Sequence, residues 1–515
     1  MRRGAPLSER LFAAGVGAML VVGAVARVYV WRASYGIPDS DEAVGGLMAK
    51  HVFAGNFSVF YWGQGYGGPL ETWLAAPVVA IFGGSWVGLR AIPILLSALT
   101  AVAVWRLGLR TIGRWGAATA GAVIWAFPSH LVWRSVHFHI FYASEMLLAA
   151  LAVLFVVRIR ESASRRDAVL LGLVVGVGLW QSFQLAAIFP AAIAWLFVRR
   201  RDTFRLIPFA VPGLLAGAVP ILVSNLRHSW WSFHIGEIGI QSTYTSRIGT
   251  YFTNTLPMSL DLRTTCTLHW FLWKPVGLTL YAVAIVVLLV LAWRARRGSA
   301  AVVFLVVAVF PLISAINQLT GVYTSPGYVD VLVPVLIVAL CAWVSSPLQG
   351  LWAMGAAVLL LSASFVDLRA NLVNVQNVPF CPEKRSGLPR DFGPMIHELN
   401  RLGITRVYAS YWIAYRIDFA TSERIVVAEG RPNALRVSSA DGVIPKPDDP
   451  SLRPRWPEYD VIVSRVATPA WIVDKSFDVG NIDYGAFAQA GYRSEDVGPF
   501  TIYYRSGSTS TGSTP

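Results

Sequence analysis

Eleven apolar runs, each long enough or nearly long enough to cross a lipid bilayer, decide what this chain can fold into. They are Leu11–Val30, Ala91–Leu109, Trp115–Val132, Ile140–Val157, Ala168–Gln184, Leu185–Val198, Leu206–Val223, Val276–Trp293, Ala300–Ile316, Val329–Val344 and Leu351–Val366. A helix rises about 1.5 Å per residue, so roughly 20 apolar residues span a hydrocarbon core about 30 Å thick. In lipid, every backbone N–H and C=O has to be satisfied within the structure, and a helix does this inside each segment. A further run, Leu70–Phe82, is shorter, carries Glu71 and Pro77, and suits a helix lying along the surface. The fold expected is therefore a polytopic α-helical membrane protein of about 11 transmembrane helices, with external surface helices besides.

Composition agrees. Of 515 residues, 55% are hydrophobic and 14% charged, and the mean hydropathy is +0.54, outside the range of ordinary soluble domains. The net charge of +14 is read as topology, because basic residues collect in cytoplasmic loops, and nucleic-acid binding is set aside. With Arg2, Arg3 and Arg10 inside and Leu70–Phe82 not crossing, four basic loops also fall inside: Arg106/Arg110/Arg114, Arg158/Arg160/Arg165/Arg166, Arg199/Arg200/Arg201/Arg205 and Arg294/Arg296/Arg297. Counting Leu70–Phe82 as a crossing would put all four outside. The first apolar run is about the length of a spanning helix and lacks a clean cleavage site, so it reads as a retained helix and not a signal peptide.

Three regions follow. Residues 1–366 form the transmembrane domain, with a large first external loop at 32–90. Residues 367–505 are polar and mixed, with a helix expected at Met395–Leu402 and strands at Thr405–Ser410, Arg424–Ala428, Tyr459–Ser464 and near Phe500–Tyr504, hence a small C-terminal α/β domain that eleven crossings place outside. The tail, residues 506–515, "SGSTSTGSTP", has the composition of a disordered segment. Of three cysteines, Cys341 lies in an apolar run, while Cys266 and Cys381 both fall outside, where pairing is chemically open.

The first external loop carries the densest chemistry. In "YGIPDSDEAVGGLMAKHVFAGN" the acids Asp39, Asp41 and Glu42 lie within four residues. Carboxylates at a helix start cap orphan N–H groups and complement the dipole, but capping needs one or two acids and not three. "GQGYGGPLE" follows with Gln64, Tyr66 and Glu71, and a later external turn, "HLVWRSVHFHIFYASE", brings Arg134, His137, His139 and Glu145. An ionisable group such as Glu145, where a helix enters the bilayer, needs a partner or a wet cavity. His137 and His139 stand two apart, a spacing that would face opposite sides of a helix and so argues against a metal site from those two alone. The long external segment 224–275 adds Arg247, Arg263 and Lys274 among many aromatics, and "NQLTGVYTSPGYVD" adds Tyr328. Acids on one loop and bases on others is the polarity of a site that handles a hydroxyl and an anionic leaving group.

In order, "PDSDEA", "GGPLETWLAAPVVAIFGGSWVGLRAIPILLSAL" and "FPSHLVWRSVHFHIFYASEMLLA" resemble the GT-C glycosyltransferases, in the bacterial branch related to protein O-mannosyltransferases and lipid A aminoarabinose transferases. The resemblance matches Asp41-Glu42 to an Asp-Glu pair on the first external loop, Leu70–Phe82 to a surface helix, and Glu145 to a later acid that is usually Asp. It implies a cell-membrane enzyme of the bacterial envelope that takes a sugar from a polyprenyl-phosphate-linked donor and places it on a hydroxyl of a glycan, lipid or protein acceptor at the extracytoplasmic face. Asp41, Glu42 and Glu145 are then the catalytic candidates. Asp39, Gln64, Tyr66, Glu71, Arg134, His137, His139, Arg247, Arg263, Lys274 and Tyr328 are the substrate-binding candidates. Many relatives carry Arg-Tyr where this chain has Gly327-Tyr328, so a phosphate-binding cation has to come from Arg134, Arg247, Arg263 or Lys274 or the donor is held differently. A divalent metal ion shared by the acids stays open, since a D-x-D-E string does not by itself assign one. Two other classes also stay open at this point: a transporter or flippase of lipid-linked sugars, and a non-catalytic membrane assembly protein.

Overall fold

The structure is a computed structural model and describes residues 6–33, 36–230, 232, 242–265, 268–322, 326–371, 389–429, 435–438, 442–445, 456–474 and 484–505. Cys266, Cys381 and the tail 506–515 lie outside the described residues. The chain divides into two compact units: one of Met1–Ile37, Gly65–Glu71 and Arg90–Leu388, the other of Pro38–Gln64, Thr72–Leu89 and Pro389–Pro515.

The first unit is helical, and each of the eleven apolar runs is helix in it. Six helices among the described residues are long and apolar enough to cross a membrane: Leu7–Arg32, Trp86–Thr111, Tyr142–Ser162, Arg201–Arg227, Lys274–Ala295 and Pro347–Val366. The remaining runs are shorter or broken. Trp115–Val132 is two helices, Gly113–Ala126 and Ser129–Arg134, parted at Pro128, whose ring cannot donate to the helical ladder. Val329–Val344 is a 3₁₀ turn, Gly327–Leu332, leading into the helix Val333–Leu340. The helices Arg165–Gln181 and Ile207–Arg227 approach through glycines: a Cβ on Gly172 would lie 1.9 Å from the Ala210 carbonyl oxygen, and one on Gly217 would lie 2.6 Å from that of Leu173. Small residues let helix backbones come together where lipid offers no hydrophobic drive for association. Tyr142–Ser162 is the central helix, with thirteen of its residues from Ala143 to Val157 buried.

The second unit joins the C-terminal residues to two helices from the segment between the first two long helices. Ser40–Phe53 and Leu70–Phe82 are 14 and 13 residues long, which at 1.5 Å per residue gives about 20 Å. The strands are β1 (Arg406–Ala409), β2 (Val426–Glu429), β3 (Leu435–Ser438), β4 (Gly442–Pro445), β5 (Ala470–Asp474), β6 (Arg493–Val497) and β7 (Phe500–Tyr504). Five of them make one sheet in the order β2-β1-β5-β7-β6, while β3 and β4 pair separately. β1 runs parallel to β2 and β5, and β7 runs antiparallel to β5 and β6. A parallel β1–β2 pair needs a crossover, and "YWIAYRIDFAT" supplies it as the helix Tyr411–Thr421.

The segment Tyr459–Ser464 is helix, not the expected strand. Pro457 stands in the first turn with Glu458 and Asp460, the residue types that favour a helix start. Only Tyr459 and Val463, four apart, are buried, as one helical face requires. The helix Gly393–Arg401 and strands β1, β2 and β7 fall where the sequence places them, within a few residues.

Candidate functional site

The three clustered acids have separate positions on the Ser40–Phe53 helix. Asp39 is the N-cap, and its Oδ1 accepts from the Glu42 N–H at 3.0 Å. Asp39 and Glu42 are 1% and 0% exposed, whereas Asp41 is partly exposed. The Asp41 carboxylate accepts a hydrogen bond from the Tyr411 hydroxyl, and its backbone carbonyl accepts one from the Tyr61 hydroxyl at 3.3 Å. Gln64 lies in the same unit, in a turn closed by its N–H to the Tyr61 carbonyl.

A second polar cluster is built within the helical unit. Glu71 is fully buried, and its Oε1 accepts from both the backbone N–H and the hydroxyl of Ser144, at 2.8 and 2.9 Å. Ser144 is in the first turn of Tyr142–Ser162, so Glu71 caps from a distance the helix that carries Glu145. Gln181 closes the group, donating to the Ser144 hydroxyl at 2.7 Å and accepting from the Leu70 N–H at 3.3 Å. Burial pushes the Glu71 carboxyl up to about 7, against the bonds from Ser144 and the charge of His139.

Glu145 is 0% exposed and interacts electrostatically with Arg134, Asp330 and Glu71. Arg134 in turn lies in the field of Asp330, Tyr142, Glu145 and Tyr328, with its guanidinium 3.8 Å from the centre of the Tyr142 ring. Its charge is matched by Asp330, 2.8 Å away, whose other oxygen meets His130 at 2.9 Å. Thus Glu71, the neighbouring Arg134 and Glu145, and the partly buried Tyr328 belong to one network. That network is rich in acids, so Arg134 has a partner before any phosphate arrives.

His137 and His139 follow the Ser129–Arg134 helix in irregular chain, so they do not face opposite sides of a helix. Their rings stack at 5.3 Å and 18°, and Trp133 packs on His137 at 4.3 Å. Each ring has the chemistry of a metal ligand. Arg90, 1% exposed, reaches His137 Nδ1 at 3.4 Å and donates to the Gly36 carbonyl at 2.9 Å. Tyr66 is partly buried in this unit.

The other basic candidates are spread over the helical unit. Arg247 is 9% exposed and donates to the backbone carbonyls of Ala315 and Ser242. Arg263 donates to the carbonyls of Leu268 and Thr253 and to Asn254. Both tie this segment to itself and its neighbours. Lys274 is exposed at the start of Lys274–Ala295.

Sequence reading missed Asp330, Arg90, Gln181 and Tyr411. A signal existed for Asp330, a lone acid entering the apolar run Val329–Val344, which in a membrane requires a partner. For Tyr411 no local pattern pointed to its partner Asp41, which lies 370 residues earlier.

Residues 67–228 match the family described as dolichyl-phosphate-mannose-protein mannosyltransferase. No curated protein matches the chain. Among solved structures, ArnT from Cupriavidus metallidurans bound to undecaprenyl phosphate is similar at a TM-score of 0.59 and 13% identity, over 96% of this chain and 99% of that one. The apo form of the same protein is similar at 0.59 and 14%, over 97% and 100%. At such identities the likeness is one of fold. In its fold, and in sequence over 67–228, this multi-pass membrane chain resembles the GT-C glycosyltransferases, with ArnT as a structural neighbour.

Proposed function

We propose that the chain is a membrane glycosyltransferase that moves a sugar from a polyprenyl-phosphate-linked donor to an acceptor hydroxyl on the extracytoplasmic face, with Asp41 as the general base. The observation that carries the assignment to Asp41 is its exposure: of the three clustered acids, Asp39 and Glu42 are buried and one caps the helix, while Asp41 is the one a solute reaches. The matched family and the undecaprenyl phosphate bound by the ArnT neighbour support the donor class. The four basic loops, from Arg106/Arg110/Arg114 to Arg294/Arg296/Arg297, support a cytoplasmic N-terminus and an external C-terminal domain.

In the transfer, the acceptor oxygen attacks C1 of the sugar. A bond forms between that oxygen and C1, the bond from C1 to the phosphate oxygen breaks, and polyprenyl phosphate leaves with the electron pair. Asp41 takes the hydroxyl proton as the attack proceeds. Glu42 gives its backbone N–H to the Asp39 cap in the first turn of the same helix, and Glu145, the second acid, is held in the network of Arg134.

The test supplies purified protein in lipid with a labelled polyprenyl-phosphate sugar and an envelope acceptor fraction. Label should pass to the acceptor, and nucleotide sugars alone should give none. Robust transfer from a nucleotide sugar, with no lipid carrier present, would overturn the proposal. The same assay after chelation shows whether a divalent cation takes part.

A further inference from the structure

The C-terminal domain is joined to the first-loop helix at both ends of that helix. At its start, the Ser40 hydroxyl donates to the Tyr411 backbone carbonyl at 2.6 Å, and the Tyr411 hydroxyl donates to the carboxylate of the next residue, Asp41. At its end, Lys50 and His51 meet the two carboxylate oxygens of Glu423, each at 2.7 Å. Glu423 also accepts from the Tyr459 hydroxyl at 2.8 Å. Although burial opposes it, the bonds from His51 and Lys50 pull the Glu423 carboxyl down to about 2.

Tyr411 is well fixed. It is the first residue of Tyr411–Thr421, its ring lies edge-on to Trp412 at 4.8 Å and to Tyr415 at 5.4 Å, and Tyr415 is fully buried. An aspartate has two rotatable side-chain bonds, and a base that wanders over them spends little time aimed at its substrate. A hydroxyl on a packed ring, bonded to one carboxylate oxygen, fixes the plane in which the other oxygen lies. The Tyr61 hydroxyl and the Ser40 bond hold the backbone on either side.

We infer that Tyr411 is a positioning residue for the transfer reaction, through which the C-terminal domain orients the Asp41 carboxylate. The inference rests on the proposed role of Asp41 as base. It gives the external domain a part in catalysis, and it accounts for two contacts from one residue onto consecutive positions of the acidic cluster.

The test uses the full-length protein in lipid and measures transfer for Tyr411→Phe, which keeps the ring and its packing. A lost hydrogen bond to a charged group should lower kcat about tenfold or more while the KM for the lipid-linked donor stays within about twofold. In an Asp41→Asn background, where no base remains to be oriented, Tyr411→Phe should cost little further. Lys50→Met breaks the far end of the same contact without touching Asp41, and its kcat should stay within about threefold of wild type. Wild-type kcat in Tyr411→Phe, or an equal loss in Lys50→Met, would overturn the inference, because the contact would then be irrelevant or merely structural. Wild-type transfer by Asp41→Asn would instead sink the assignment of the base, a separate result.

Discussion

Gly46 of the Ser40–Phe53 helix lies so close to Phe419 that a Cβ built on it would stand 2.4 Å from the ring. The first-loop helix and the Tyr411–Thr421 helix of the C-terminal domain therefore meet at a point where no side chain fits between them. Gly46→Ala should destabilise this unit by about 1–3 kcal/mol, the usual cost of overpacking. Phe419→Leu should recover part of the loss. Thermal unfolding of the purified variants checks this, and an unchanged midpoint for Gly46→Ala would show that the two helices separate easily.

The acidic cluster divides by role. Asp41→Asn keeps the side-chain size and removes the proton acceptor, so transfer should fall by about 10²–10⁴-fold. Asp39→Ala should lose about 1 kcal/mol of local stability, the value of an N-cap, with a modest effect on transfer. Glu42→Gln should lie between the two. Single-turnover rates at equal amounts of folded protein decide the order, and near-normal transfer by Asp41→Asn would move the base elsewhere, to Glu145 first.

Glu71 gives a pH dependence with a definite sign. Its folded carboxyl sits at about 7 because it is buried, while an unfolded glutamate titrates near 4.3. Between those values the folded state holds a proton that the unfolded state has released, so stability is fully present below about pH 4 and is lost as pH rises through 7. Glu71→Gln cannot ionise and retains an acceptor for Ser144. Its unfolding midpoint should therefore fall less than that of wild type between pH 5 and 8, and parallel curves would refute the assignment.

Asp330 joins His130 and Arg134 in the helical unit with its side chain fully buried. Asp330→Asn leaves the Arg134 charge without its partner, for which about 3–5 kcal/mol of destabilisation is expected. Replacing both, as Arg134→Met with Asp330→Leu, should recover part of it, since neither member of the pair is then left charged, while Glu145 and His130 keep some of the cost. Denaturation of the three variants in one detergent tests the pair, and a harmless Asp330→Asn would show that Arg134 has another counter-ion.

Topology is tested by cysteines placed in a chain cleared of its own three. Asn56→Cys and Ser85→Cys, one on each side of Leu70–Phe82 in sequence, should both react with an impermeant thiol reagent from outside. Arg297→Cys should react only after permeabilisation. Labelling at 56 with protection at 85 would mean that the segment crosses.

What the sequence determined by itself is what depends on local pattern. Apolar length marked the helices of the first unit, because a run that has to satisfy its backbone in lipid has few other choices. The apolar run Leu70–Phe82 marked a short helix, and Asp39 before Ser40-Asp41-Glu42 marked a cap, because helix ends expose N–H groups that a nearby carboxylate satisfies. Hydrophobic pattern also marked β1, β2 and β7, while for Tyr459–Ser464 the same apolar residues suited either period, and Pro457 with its acidic neighbours settled on helix. Tertiary structure alone decided which distant residues meet. The boundary between the units does not fall at Val366, since Pro38–Gln64 and Thr72–Leu89 pack with the C-terminal residues. Glu71 turned out to cap the helix of Glu145, Arg134 to be matched by Asp330, and Asp41 to be held by Tyr411. The physical reason is the same in each case: a buried or half-buried charge must find its partner in space, and chain separation, 370 residues for Tyr411 and Asp41, leaves no trace of that partner in local sequence.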